Sequence, residues 1–367
     1  MNRVKEMLYQ LRCVVTGRGG KFLLHKKEVH RRRGIAERRV LEEASADSTL
    51  FRQNECPACG ERRLPREEFA NPIGYQFGIC PNDGTVYMDP IPTDATLTRM
   101  YNDPAESYLW MSDEAVENVD VKPSNQEDYQ AVLRSVPDVR PGMRLLDIGC
   151  ATGSFLLTAS QSFEVEGCEL NGSTADVARA HGLRVHTGSI QDFPGSELFD
   201  VITMLQVIEH LPTPEATLRE VWRLLKPGGC LFVNTPNIDS ASFKALRNRH
   251  IHVSSFGHVS LFNKESLQLL GKRCGFEVVA HEFCNGSDLS THDWLSFHFF
   301  NKRFSHRMAL YSPRFYYACE LLDRATFAKL PTMLFPAGNE SYHWTLFRKP
   351  LGAESARSLS SSASQSE

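Results

Sequence analysis

Residues 144–155 read RLLDIGCATGSF, an apolar strand that continues through an acid and a glycine-rich turn to the start of a helix. The apolar residues around Asp147 are typical of a buried parallel strand. Gly149 and Gly153 allow a sharp turn after that strand and leave bare backbone against which a ligand can lie. The stretch therefore predicts an α/β sheet with a ligand site at the carboxyl end of this strand.

The spacing of the glycines distinguishes this turn from a dinucleotide-binding fingerprint. That fingerprint reads G-x-G-x-x-G and holds a pyrophosphate, whereas this turn reads D-x-G-x-x-x-G. An acid at the strand end repels a phosphate and attracts a cation. The stretch resembles the first motif of class I S-adenosyl-L-methionine-dependent methyltransferases, whose cofactor carries an ammonium and a sulfonium. The resemblance implies that the methionine part of this cofactor is held by Asp147, Gly149, Cys150 and Gly153.

An ordinary strand–turn–helix also fits this motif alone, so the order of the later segments matters. The apolar segment 165–170 predicts a second strand that closes with Glu169 and Leu170. An acid at this place accepts hydrogen bonds from ribose hydroxyls in other nucleotide-binding α/β folds. We therefore expect Glu169 and Leu170 to contact the cofactor, although a solvated surface glutamate is the simpler alternative.

Two further predicted strands, at 183–187 and 200–205, are followed by polar residues. In the methyltransferase family the first of these loops brackets the adenine and the second lies at the cofactor edge. A helix over about 214–225, a turn at 226–229 and a fifth strand complete the family's order. The resemblance assigns these two loops' cofactor contacts to Ile190, Gln191, Asp192 and Gln206.

Three residues are candidates for catalysis. Residues 257–279 resemble the family's segment in which a histidine precedes an apolar bridge, a helix and the sixth strand, which makes His258 the candidate general base. A histidine that caps or packs the following helix is an equal alternative. Glu209 and His210 match part of an E-x-x-E-H pattern that contributes metal ligands in ubiquinone-biosynthesis O-methyltransferases. Gln206 replaces the first Glu of that pattern, which favours a structural role for Glu209.

A second group of candidate ligands lies nearer the N-terminus. Cys56-Pro-Ala-Cys59-Gly and Cys80-Pro-Asn-Asp83-Gly have the form and separation of the two knuckles of a zinc ribbon, with Asp83 in the fourth ligand position. Three thiolates and a carboxylate can hold structural zinc, whereas a metal-free fold is the alternative. The following stretch resembles the segment that joins such a ribbon to a methyltransferase domain in a bacterial group associated with sugar, polysaccharide and natural-product modification.

These motifs predict an α/β chain with a seven-stranded Rossmann-like methyltransferase sheet, a small zinc-ribbon-like lobe and a helical insert before the last strand. The expected divisions are a basic extension (1–50), the lobe (51–101), a helical linker or lid (102–140), the methyltransferase domain (141–350, with its insert at 285–339) and a disordered tail (351–367).

Composition narrows the function further. The chain of 367 residues has a net charge of −3 and ten cysteines, which mostly lie inside predicted elements rather than at disulfide spacing. This cysteine usage, with no long apolar run or export signal, predicts a cytoplasmic protein. The lobe mixes acids with its arginines, which argues against nucleic acid as a partner. The basic extension favours a solvated, partly ordered segment, with peripheral contact to an anionic membrane or to nucleic acid as the alternative.

The resemblance predicts S-adenosyl-L-methionine as cofactor and methylation of a small-molecule or glycan acceptor, with O-methylation of a sugar or related hydroxyl as the leading hypothesis. The alternatives are an RNA- or tRNA-modifying methyltransferase or nucleic-acid-binding zinc-ribbon protein, a ubiquinone-type O-methyltransferase, and an inactive scaffold. Oligomeric state carries no signal in the sequence.

Overall fold

The computed structural model describes residues 39–43, 46–62, 65–71, 74–102, 123–196, 198–240, 243–244, 247–254, 257–284 and 342–351. The expected insert (285–339) and most of the expected basic extension, linker and tail lie outside these residues. Within the described part, no helix is long and apolar enough to span a membrane.

The N-terminal lobe is built from short antiparallel strands. They are β1 (Phe51–Arg52), β2 (Glu67–Ala70), β3 (Gln76–Ile79), β4 (Val86–Met88) and β5 (Ile91–Pro92), followed by helix α1 (Asp94–Asn102). Strand β1 pairs with β5, and β3 lies between β2 and β4. An apolar core that includes Phe77 and Ile91 of the lobe is completed by buried residues from 238–261, among them Val253 and Leu261.

The following domain is organised around a seven-stranded mixed sheet, so the predicted α/β sheet is confirmed. In chain order its strands are β6 (Arg144–Ile148), β7 (Glu164–Glu169), β8 (Val185–Thr187), β9 (Phe199–Leu205), β10 (Leu225–Pro236), β12 (Glu277–Cys284) and β13 (Tyr342–Arg348), and β11 is a separate short strand (Ser260–Leu261). The spatial order is β8-β7-β6-β9-β10-β13-β12. Strand β13 runs antiparallel to both neighbours, while the strands from β8 to β10 are parallel.

The helices of this domain are α2 (Pro123–Ser135), α3 (Ser154–Ala159), α4 (Gly172–Ala180), α5 (Pro214–Leu224), the short α6 (Ile251–Ser254) and α7 (Lys264–Arg273). Helices α3, α4, α5 and α7 pack on strands of the sheet, α2 packs on α3, and α6 contributes Val253 to the core that includes Phe77. In α5 the residues Leu218, Val221 and Leu224 recur at helical spacing, and all three are fully buried. Their burial holds α5 against the central core.

The glycine-rich turn after β6 depends on close packing as well as on backbone freedom. Gly149 and Gly153 have φ values of 70° and 86°, in the left-handed region. A Cβ atom on Gly149 would lie 2.6 Å from Cγ2 of Val207, and one on Gly153 would meet Leu183. Larger residues are therefore excluded at both positions.

The expected turn at 226–229 is wrong in detail, because β10 runs through it. The ladder with β9 shifts register between Leu225 and Cys230, so these residues form an irregularity within one long strand. The N–H of Gly228 donates to the carbonyl of Lys349, and the N–H of Lys349 donates to the carbonyl of Gly229. These hydrogen bonds beyond the end of β13 hold the segment in the sheet, with Gly228 in the left-handed region (φ 79°).

The lobe and the sheet domain are joined by hydrogen bonds. Strand β11 pairs antiparallel with β4, which extends the lobe sheet to the order β2-β3-β4-β11. Helix α7 contacts both cysteine-containing turns, since Asn263 Nδ2 donates to Asp83 O (3.0 Å) and Arg273 donates to Ala58 O (2.7 Å). The lobe is therefore fixed to the segment that follows His258.

Candidate active site

A cavity of about 960 Å³ lies at the carboxyl ends of the central strands, beside α2. Its wall contains the glycine-rich turn after β6, Gln206 after β9, and residues of β10, β12 and β13. Ala151 (φ 47°) and Gln206 (φ 59°) both lie in this wall and both adopt left-handed backbone conformations. Such strain costs on the order of 1–3 kcal/mol per residue and is concentrated at functional sites.

Asp147 is the buried charge of this cavity. Its side chain is 3% exposed and accepts a hydrogen bond from Thr203 Oγ1 at 2.6 Å. The pKa of Asp147 is raised to about 7, mainly by burial; the hydrogen bond from Thr203 lowers this pKa, and nearby Glu169 raises it. No ion pair to Asp147 is found among the described residues. A cationic ligand would restore the charged form, so this carboxyl fits the ammonium of S-adenosyl-L-methionine.

Glu169 holds the glycine-rich turn in place. Its two carboxylate oxygens accept hydrogen bonds from the N–H groups of Ala151 (3.0 Å) and Asn171 (2.8 Å), and Leu170 contributes a third backbone donor. Burial raises the pKa of Glu169 despite these donors. The acid at the end of β7 therefore orients the backbone of the turn after β6.

The loop expected at the adenine forms a single 3-10 turn, Ile190–Asp192. Ile190 is 4% exposed and belongs to the central core, whereas Gln191 and Asp192 are exposed. Gln191 Nε2 donates to Thr217 Oγ1 at 3.3 Å. None of the three lies in the described wall of the cavity, so their adenine contacts stay a prediction.

Side chains at the carboxyl ends of β9 and β10 are hydrogen-bonded to one another beside the glycine-rich turn. Gln206 Nε2 donates to Asn234 Oδ1, and Asn234 Nδ2 donates to the carbonyl of His343 at 3.2 Å. Cys150 lies in the wall but is buried against Gly167, where an added Cβ would be 2.5 Å from its sulfur. The hydrogen bond to Asn234 therefore holds Gln206 in the cavity wall, between the ends of β9 and β10.

Glu209, His210 and His258 come together, with one ligand atom of each within 4.8 Å of the others. Glu209 is fully buried, and its Oε2 accepts a hydrogen bond from Thr235 Oγ1 at 2.9 Å. Its Oε1 has no hydrogen-bond partner within the described residues. Burial raises the pKa of Glu209 to about 8, so this carboxyl is mostly neutral near pH 7.

The two histidines have defined tautomers. His210 Nδ1 lies 2.9 Å from the carbonyl of Gly257, and His258 Nδ1 lies 2.8 Å from that of His252. Because a carbonyl only accepts, each neutral ring carries its proton on Nδ1 and is basic at Nε2. Neither histidine lines the cavity, but His252 contacts both His258 and Tyr342 of the cavity wall, with ring centroids 5.5 and 5.1 Å apart.

The lobe brings its four candidate ligands together as well. One ligand atom each of Cys56, Cys59, Cys80 and Asp83 lies within 4.8 Å of the others. The sulfurs of Cys59 and Cys80 are 3.7 Å apart, and Cys56 Sγ is 3.2 Å from Asp83 Oδ2. Tetrahedral zinc with Zn–S bonds of about 2.3 Å places neighbouring sulfurs about 3.8 Å apart. The donor set therefore fits zinc.

Several residues of these sites escape sequence reasoning. Thr203 lies opposite Asp147 in the ladder between β6 and β9, and Asn234 supports Gln206. A polar residue inside an otherwise apolar strand was the available signal for both. Glu282 and Trp344 also line the cavity, but they lie on strands separated in sequence by residues 285–341, and no local pattern links them.

Comparison with known proteins identifies the domain. Residues 125–281 match the family model described as "Methyltransferase domain". This stretch is a class I methyltransferase domain. This match agrees with the methyltransferase domain that the first motif predicted.

Curated relatives of this methyltransferase domain include ubiquinone biosynthesis O-methyltransferases. The protein from Xanthomonas oryzae pv. oryzae is 37% identical over 113 residues, which are 28% of this chain and 46% of the relative. The protein from Xanthomonas campestris pv. campestris is 37% identical over 116 residues, or 28% and 47% of the two chains. The chain thus spans about half the length of these relatives.

Solved structures include similar chains at low identity. Haemonchus contortus phosphoethanolamine N-methyltransferase 2 in complex with S-adenosyl-L-methionine is 18% identical, with 72% of this chain and 63% of that chain covered and a TM-score of 0.45. A methyltransferase from Thermotoga maritima is 23% identical, with 60% and 89% covered and a TM-score of 0.40.

The raised pKa of Asp147 predicts a pH dependence of cofactor binding. Below about pH 7 the carboxyl is protonated and must lose its proton to pair with the ammonium, so the association constant of S-adenosylhomocysteine should rise by up to about tenfold per pH unit up to pH 7 and then level off. Calorimetric titrations between pH 5.5 and 7.5 measure this. In Asp147→Asn the affinity should be lower and this pH dependence should disappear; equal wild-type affinities at both ends of the range would contradict the role of Asp147.

Proposed function

We propose that this protein transfers the methyl group of S-adenosyl-L-methionine to a hydroxyl of a small-molecule or glycan acceptor, most simply a sugar. The observation that carries the proposal is a single cavity in which the buried Asp147 and the glycine-rich turn share a wall with β10, β12 and β13. One part of this cavity suits the cofactor's methionine end, and the remaining space suits an acceptor. The cofactor supplies a methyl group on a sulfonium leaving group, so the chain mainly has to bind, align and accept a proton.

Residues around the turn would hold the cofactor. Asp147 would pair with the ammonium, and the backbone at Gly149, Cys150 and Gly153 would approach the methionine carbons. Glu169 would exchange one of its backbone donors for ribose hydroxyls, which its position at the end of β7 supports. Gln206, held by Asn234, would face the reacting end.

His258 remains our proposed general base. Its Nδ1 contact with the carbonyl of His252 supports the proposal, because it leaves Nε2 as the basic atom of the neutral ring. The ring is 7% exposed and packs on His252, which in turn contacts Tyr342 of the cavity wall. The proton of the acceptor would therefore reach His258 through this side of the wall, with His210 as the alternative base.

A ubiquinone-type O-methyltransferase is the second candidate. The clustering of Glu209, His210 and His258 favours it, because two imidazoles and a carboxylate within 4.8 Å of one another can hold a divalent cation. The names of the curated relatives point the same way. Against it, Gln206 replaces one acid of the pattern, and burial keeps Glu209 mostly neutral near pH 7.

We propose a positioning role for the lobe and zinc as its structural metal. Met88 N donates to Val259 O at 2.8 Å, and Val259 N donates to Glu209 O at 2.8 Å. The lobe strand β4, the segment after His258 and the candidate catalytic turn thus form one continuous hydrogen-bonded path. When bound, zinc would fix the two cysteine-containing turns that α7 contacts, without a part in methyl transfer.

The cellular setting stays a prediction. The described cysteines form no disulfide, which is compatible with a cytoplasmic location. Membrane contact through the basic extension would depend largely on residues outside the described part of the chain.

His258→Ala should lower turnover by at least about tenfold while leaving S-adenosylhomocysteine affinity intact, because proton removal contributes roughly 10²- to 10⁴-fold in such reactions. The measurement is a pH–rate profile on an acceptor identified by mass-spectrometric screening of sugars and sugar nucleotides. His181→Ala, an exposed histidine at the end of α4, serves as the matched control. Full turnover in His258→Ala with loss in His210→Ala would move the base to the turn after β9.

Cys59→Ser should release zinc and lower the melting temperature, while S-adenosylhomocysteine affinity changes little because the lobe ligands lie outside the cavity wall. The matched variant is Asp83→Cys, which completes four thiolates and should retain zinc against a chelator for longer than the wild type. Metal analysis of the purified protein measures both. Absence of zinc from purified wild type would refute the metal assignment.

A further inference from the structure

The part of the cavity farthest from the glycine-rich turn is formed by a row of side chains across three strands. Asn234 of β10 is the register partner of Trp344 of β13, and Trp344 is the partner of Glu282 of β12. All three line the cavity, so their side chains lie on one face of the sheet. The row continues from Gln206, whose amide donates to Asn234.

Trp344 supplies an aromatic surface in this row. Its ring stacks on Phe232 with centroids 5.1 Å apart and an interplanar angle of 28°. Phe232 is 1% exposed, so it forms the floor beneath the indole, whereas Trp344 itself is partly exposed and lines the cavity. The indole is therefore held rigidly with part of its surface available to a ligand.

Glu282 supplies charge beside that ring. It is exposed, lines the cavity and lies directly across from Trp344 in the ladder. Residues opposite one another in an antiparallel pair have Cβ atoms about 4.5–5.5 Å apart, so one ligand group can contact both. A cation over an indole face is stabilised by about 0.5–2 kcal/mol, and a carboxylate at its edge adds to this.

The net charge of the described cavity wall also favours a cationic ligand. Its ionisable side chains are the acids Asp128, Asp147 and Glu282 and the single base Arg134. The cofactor's ammonium compensates Asp147, so the space left for an acceptor still carries an excess of negative charge. Such a wall disfavours a phosphate or carboxylate next to Glu282 and favours a protonated amine.

We propose that Trp344 and Glu282 form a subsite for a protonated amine on the acceptor, away from the atom that is methylated. This inference rests on the proposed function, because it takes the acceptor to occupy the cavity beyond Gln206. Glu282 is two strands from Asn234, or about 10 Å at the usual strand spacing. The acceptor is then a hydroxylated molecule longer than one sugar ring, with an amine at its far end, as in an amino-sugar disaccharide.

The test compares two disaccharides that differ only in their amines. Chitobiose, the glucosamine disaccharide, and cellobiose, its all-hydroxyl counterpart, are titrated calorimetrically at pH 7 into wild-type protein saturated with S-adenosylhomocysteine. Chitobiose should bind at least about fivefold more tightly than cellobiose, which matches the lower half of the cation–π range. Equal binding, or no saturable binding of chitobiose, would overturn the subsite.

Variants assign the preference to its residues. Glu282→Gln keeps shape and removes the charge, so chitobiose and cellobiose should then bind within about twofold of each other. Glu277→Gln, an exposed residue of the same strand outside the cavity wall, is the matched control and should keep the preference. Trp344→Phe should retain part of it and Trp344→Leu should lose it. Persistence of the full preference in Glu282→Gln would refute the role of this carboxylate.

The proposed methyl transfer and the amine subsite can be refuted separately. S-adenosylhomocysteine that does not bind wild-type protein would refute the proposed function itself. S-adenosylhomocysteine that binds normally while the disaccharides bind equally would leave methyl transfer standing and remove only the amine subsite.

Discussion

A buried carboxyl without a cation imposes the main constraint on this structure. Asp147 is excluded from water at the end of β6, close to the acid at the end of β7, and its pKa is raised to about 7. Such an arrangement opposes ionisation, and a protein whose only need was a stable sheet would gain from an apolar residue here. The strained Ala151 and Gln206 lie in the same wall. The backbone strain at Ala151 and Gln206 and the buried, unpaired carboxyl of Asp147 thus lie at the same end of the sheet. Binding of a cationic cofactor at this end would explain both.

Local sequence patterns predicted the sheet because its strands are short apolar segments closed by glycine or polar residues. The last strand, Tyr342–Arg348, follows the expected insert at 285–339, and Asp147, Glu169 and Gln206 all lie at or just after strand ends as expected. The ends of parallel strands meet at one end of the sheet, so the order of the strands alone predicted where the cofactor binds. Residues 226–229 were misassigned to a turn, since the hydrogen bonds that hold them in the sheet involve Lys349, more than a hundred residues away.

Packing between residues distant in sequence also determines features of the site that the sequence could not predict. Ile190 has the right position in the chain for an adenine contact, but its burial in the central core depends on α5 and β9. His258 was expected to act on the acceptor, yet it is outside the described cavity wall and contacts Tyr342 of that wall only through His252. The contact of β11 with the lobe follows from two residues, Ser260 and Leu261, too few for a periodic signal. Each of these features is set by partners distant in sequence.

Calorimetric binding of S-adenosylhomocysteine tests the central claim, that the strand-end acids hold the cofactor. Wild type is compared with Asp147→Asn, Glu169→Gln and Glu169→Ala at pH 7.5, where Asp147 is largely charged. Glu169→Ala should weaken binding by about 1.5–3 kcal/mol, the usual loss for charge-assisted hydrogen bonds, and Glu169→Gln by less because it keeps an acceptor oxygen. Unchanged affinity in both Asp147→Asn and Glu169→Ala would contradict the assignment of this edge of the sheet to the cofactor.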